Sequence, residues 1–124
     1  MASAREYVGS CIMANALDVI NEKVVRDGNV AVLVSPGFGA GWYTWNQQHP
    51  ELVFDPIIVN MVLSKVHYHE IESYIEKKYG DDVYTGGASD LDVHWVPVGA
   101  KFRIDEYDGS ESLILETDEK WMIA

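Results

Sequence analysis

The segment PGFGAGWYTWN, positions 36–46, holds the most unusual grouping of side chains in the sequence. Phe38, Trp42, Tyr43 and Trp45 lie within eight positions, beside Gly37, Gly39 and Gly41. Glycine lets a backbone come close to a ligand, and exposed N–H groups hold anions. Aromatic faces stack on bases. These residue types suit a nucleotide pocket, with Phe38, Trp42 and Trp45 stacking and Gly39 and Gly41 giving backbone approach. The spacing is G-x-G-x-G, unlike a dinucleotide fingerprint, and no Lys-Ser/Thr pair follows as in a phosphate loop. The plainer alternative is a packed turn whose indoles fill the core or a subunit interface.

A phosphate also needs a cation, and arginine occurs only at positions 5, 26 and 103. Arg103 falls in FRIDEYDG, within an alternating strand, where a rigid sheet would present its guanidinium to a phosphate or carboxylate. The competing expectation is an exposed cross-strand ion pair with Asp105 or Glu111. Tyr84, in the Gly-bearing loop YTGG, and Tyr107 add hydroxyls to the candidate ligand-binding set.

Other groupings carry less. His67 and His69 share a face only on a strand; at a helix start they diverge by about 200°, and no third ligand is evident, so no metal is expected. Cys11 lies in an apolar stretch with no base placed beside it. The acids between Asp105 and Glu119 offer carboxylate pairs for acid–base work, yet such clusters on a hairpin are usually a solvated face. No nucleophile elbow or catalytic triad order occurs. The expectation is therefore a binding protein without catalytic residues or cofactor.

The elements that must position these residues follow from periodicity. Ile12, Ala16, Leu17, Ile20 and Val24 recur at three- and four-residue spacing, predicting a helix over 12–26 that Gly28 ends. Asn29 to Ser35 is a valine-rich apolar run, predicting a strand buried on both faces. Asp55 and Pro56 start a second helix as cap and first residue. A third runs over 67–79 and stops at Gly80. Strands are predicted over 92–96, 101–107, 112–116 and 120–124, with Asp108-Gly109 as a hairpin turn. The fold expected is α+β: a helical N-terminal half with one core strand, then a C-terminal antiparallel β-meander, in one domain over 1–124.

Composition narrows the partners. The chain has 124 residues, 48% of them hydrophobic, enough for one domain with a real core. Twenty acids against nine Lys and Arg give a net charge of −11. That opposes general DNA or RNA binding and docking on anionic membrane, while leaving room for a small anion in a local basic pocket. A single cysteine points to a reducing compartment, and no apolar run is long enough to span a membrane, so a cytoplasmic location is expected. The aromatic content, four Trp and seven Tyr, hints at a homo-oligomer.

The stretches SPGFGAGW and VYTGGASDLDVHWVPVGAKFRIDEYDGSESL resemble small proteins encoded by phages and prophages, and among them the Thoeris anti-defence sponges. That resemblance implies a homo-oligomer in the host cytosol that sequesters a small cyclic nucleotide immune signal, of the cyclic ADP-ribose or cyclic oligonucleotide type, without cleaving it. No family binding motif can be carried over residue by residue. Two other classes stand beside it: an acidic inhibitor or nucleic-acid mimic that blocks a basic protein, and a small hydrolase using the hairpin acids or histidines.

Overall fold

Asp-Gly pairs reverse the chain twice. Asp27 and Gly28, both at positive φ, join β2 (Lys23–Arg26) to β3 (Asn29–Val34), and Asp108 and Gly109 join β5 (Phe102–Tyr107) to β6 (Ser110–Leu115) in the same way. Positive φ at both central residues gives the tight turn whose twist matches a hairpin. The computed structural model describes residues 18–20, 22–118 and 120–124. β1 (Asp18–Ile20) pairs with β2, and β4 (Asp92–Pro97) lies along the other side of β3, from Asn29 opposite Pro97 to Val34 opposite Asp92. The result is one antiparallel sheet in the order β1-β2-β3-β4, with β5–β6 as a separate hairpin.

This corrects the expectation of a helical N-terminal half. Residues 18–26 form a hairpin whose reversal includes Glu22 at φ 63°, and three of the four strands of the larger sheet precede residue 35. Positions 12–17 of the predicted helix lie outside the described residues. The apolar spacing there fits two periodicities at once. The adjacent β-branched Val24 and Val25 and the Asp-Gly turn favour the strand. Gly28 is thus a hairpin residue rather than a helix cap.

The meander is corrected as well. β4 joins β3, which is apolar on both faces and needs a neighbour on each edge. The hairpin instead lays Phe102, Ile104, Leu113 and Leu115 across the sheet, where they pack with Val32, Val34, Val53 and Val96. Residues 120–124 form no strand: a 3₁₀ turn at Glu116–Asp118 follows β6, and the Glu116 N–H donates to the carbonyl of Lys101, just before β5.

β3 is buried on both faces, as its composition predicts. Ala31 and Leu33 face a core shared with the helices, and Val32 and Val34 face the hairpin. Each fully buried Leu or Val contributes about 1.5–3 kcal/mol, so this strand anchors both layers. α1 (Pro56–Leu63) and α2 (Tyr68–Tyr79) add Ile58, Val59, Ile71 and Ile75 to the first core. Asp55 caps α1, accepting from the N–H groups of Ile57 and Ile58 at 2.9 and 3.2 Å. Its other oxygen takes the Tyr74 hydroxyl at 2.9 Å and the Lys78 ammonium at 3.4 Å, which ties α1 to α2.

Candidate functional site

The glycine-rich loop is held by one buried carboxylate. Glu111, on β6, is 2% exposed and accepts four hydrogen bonds. The Ser35 N–H donates at 2.9 Å, the Trp42 N–H at 2.7 Å, the Thr44 N–H at 3.0 Å and the Thr44 hydroxyl at 2.6 Å. Two N–H groups of the loop, those of Trp42 and Thr44, are therefore turned onto an anion that the chain itself supplies. Backbone bonds extend the seam: Gly39 N–H to the Asp108 carbonyl at 3.0 Å and Glu111 N–H to the Ser35 carbonyl at 2.9 Å.

The glycines serve this packing. A Cβ on Gly41 would stand 2.5 Å from the Thr44 hydroxyl oxygen and 3.1 Å from a Glu111 oxygen. One on Gly87 would stand 2.7 Å from the Gly41 carbonyl oxygen, and one on Gly109 would strike the backbone of Ala40. Gly41 thus lies against protein on the side expected to face a ligand. Gly39 has φ +109°, a conformation that itself calls for glycine.

The aromatic residues of the loop divide. Trp42 is fully buried, and its indole N–H donates to the Leu52 carbonyl at 3.0 Å. It is a core residue, not the stacking surface expected of it. Trp45, three positions later, is 42% exposed and stacks on Tyr84 with centroids 5.6 Å apart and planes 29° apart. Asn46 fixes this pair. Its amide NH₂ donates to the carbonyls of Trp42 and Tyr84, and its amide oxygen accepts from the Tyr84 N–H at 2.8 Å. Gly86 leaves the space that the Tyr84 ring fills. Phe38 and Tyr107 are largely exposed and line none of the grooves described here.

Trp45 and Tyr84 lie along a groove of about 650 Å³ between the loop and α2. Four carboxylates line it: Glu72 and Glu76, one helical turn apart, and Asp81 and Asp82 just after the helix. Among the described residues lining it there is no Lys or Arg. Glu106 adds a fifth carboxylate at the indole edge, accepting from Trp45 Nε1 at 3.3 Å. Arg103 stands elsewhere. It lines a second groove of about 420 Å³ with Tyr43, Phe54 and Phe102, and its Nε donates to Asp105 at 2.8 Å. Arg103 and the exposed indole with which it was grouped therefore line different grooves.

The wall of the acidic groove is latched by His49. Its Nε2 faces Asp82 and its Nδ1 faces Glu51 at 3.2 Å, with the Tyr79 ring edge-on at 4.7 Å between centroids. Both ring nitrogens donate only when the imidazole is charged. The hydrogen bond to Asp82, and after it the hydrogen bond to Glu51 and the charge of both carboxylates, raise the His49 pKa above its ordinary value. Burial, and then the hydrogen bond it donates to Glu51, push the Tyr79 hydroxyl up to about 12. At the helix start, His67 caps α2 and its ring lies 4.6 Å from that of His69, rather than diverging from it. No three His, Cys, Asp or Glu among the described residues are grouped to hold a metal.

Carboxylates only accept, and ring faces are electron-rich, so this groove suits a cation. Sequence reasoning missed the roles of Glu111, whose donors are remote, and of Asn46, which reaches across to Tyr84. Glu72 and Glu76, four apart on a helix face and followed by Asp81-Asp82, were a readable signal. Among the described residues no helix is long and apolar enough to cross a membrane. Comparison with protein-family models, with curated proteins and with solved structures gives no match to this chain.

Proposed function

We propose that this protein is a binding protein for a positively charged protein partner, and that it acts by occupying the partner's basic surface without turning anything over. The observation that carries this reading is the groove that combines four carboxylates with the exposed Trp45–Tyr84 pair. The net charge of −11 supports it by steering basic partners toward the molecule. The test is affinity for a polybasic peptide between about 0.1 and 1 M salt, over which the screening length falls from ~10 to ~3 Å. Affinity should fall steeply across that range and weaken further when Glu72 and Glu76 are both changed to Gln. Binding indifferent to salt and to those changes refutes the reading.

One observation favours a second reading, the sequestration of a small phosphate-bearing nucleotide. Arg103 borders a groove with three aromatic residues, a combination that can meet both a phosphate and a base. An intact nucleotide retained in native mass spectrometry, and lost in Arg103→Ala, would favour this reading over the first.

A further inference from the structure

We infer that the Trp45–Tyr84 pair is the anchor for a single arginine side chain of the partner, and that the groove prefers arginine to lysine. The inference rests on the binding reading above and names the group that the groove recognises.

Three observations carry it. The first is the rings themselves. Trp45 and Tyr84 are 42% and 55% exposed, and they stay at the groove although burying them would be favourable. Asn46 and Gly86 hold them there, so the pair is built in advance of any ligand. The second is the set of carboxylate acceptors near them. Glu106 accepts at the indole edge, and Glu72, Glu76, Asp81 and Asp82 line the groove that the two rings line. A planar guanidinium lying on an aromatic face points its N–H groups outward in its own plane, where such acceptors can meet them. A lysine ammonium is a compact, strongly hydrated point charge that gains less from a flat surface. The third is a precedent within the molecule: the Arg26 guanidinium lies 4.2 Å from the centre of the Trp95 ring. The carboxylates alone would attract any cation; the ring pair is what distinguishes the two.

The test uses three short peptides on one neutral background, bearing paired arginines, lysines or citrullines, titrated into the whole protein by calorimetry. Citrulline keeps the planar group and removes the charge. The expected order is arginine over lysine by roughly tenfold, with citrulline not bound. Trp45→Ala should reduce the arginine peptide to the affinity of the lysine peptide, and Tyr84→Ala should reproduce that change. Since both side chains are partly exposed, each variant should keep the wild-type thermal transition, which is checked in parallel. Equal binding of arginine and lysine peptides, or arginine binding unchanged in both variants, overturns the anchor while leaving the acidic groove standing. Failure of both charged peptides to bind overturns the binding reading as well.

Discussion

Replacing Glu111 by alanine should unfold a large part of the stability margin. The carboxylate is fully enclosed and accepts from three backbone N–H groups and one hydroxyl. Removing it leaves the N–H groups of Ser35 and Trp42 buried without an acceptor, and that of Thr44 partly so. Each orphaned buried donor costs about 1–3 kcal/mol, so the sum is about 4 kcal/mol after some relaxation of the loop. A domain of this size has on the order of 5–15 kcal/mol in total. Glu111→Gln should cost less, about 1–2 kcal/mol, because its one oxygen still serves the Trp42–Thr44 side while its NH₂ group opposes the Ser35 N–H. The assay is urea denaturation followed by tryptophan emission, in which the buried Trp42 reports the loop. The thermal midpoint of the alanine variant should drop by roughly 12–20 °C. A loss under about 1 kcal/mol at unchanged denaturant slope would show that the loop keeps its shape without the carboxylate, and would refute the reasoning.

Other expectations follow from the same structure. Asp55→Ala removes a helix cap and the acceptor of Tyr74 and Lys78, and should cost about 2–3 kcal/mol in the same denaturation, with Asp55→Asn costing less. Gly87→Ala places a methyl against the Gly41 carbonyl and should cost about 1–3 kcal/mol, whereas a conformational benefit without the clash would appear as a small gain. The raised pKa of His49 means that its stabilising pairs are complete below about pH 6.5 and are lost as pH rises through the higher folded value. Thermal midpoints measured from about pH 5.5 to 8.5 should therefore fall relative to those of His49→Gln as pH rises. Parallel curves for the two proteins would show that the latch carries no charge-dependent stability.

How much of this was legible depended on the distance over which each residue acts. Asp55-Pro56 and Gly80 mark helix ends through bonds to their neighbours, and Asp108-Gly109 marks a turn through its own backbone, so local reading found them. The run over 29–35 announced a doubly buried strand because every side chain between Asn29 and Ser35 is apolar. The hairpin over 18–26 was misread because its apolar residues satisfy helical spacing while its β-branched pair and Asp-Gly turn decide otherwise. Trp42 and Trp45 are alike as sequence. What separates them is the Leu52 carbonyl on one side and Tyr84 on the other, and neither is implied by the loop. Glu111 looked like one more hairpin acid; its donors lie 67 to 76 positions earlier.

That separation bears on how the protein is made. The loop over 36–46 leaves the ribosome long before residue 111, and at about 5–20 residues per second the delay is roughly 4–15 s. Through that interval the amides of Ser35, Trp42 and Thr44 have water as their partner, and the indole of Trp42 has only part of its enclosure. β3 meets the same delay, since β4 follows it by some sixty positions. Long-range closures of this kind are slow even in the released chain. The newborn chain therefore carries an apolar strand and an indole-bearing loop in the open for seconds, the kind of surface that holding chaperones recognise, until a single glutamate arrives to close it.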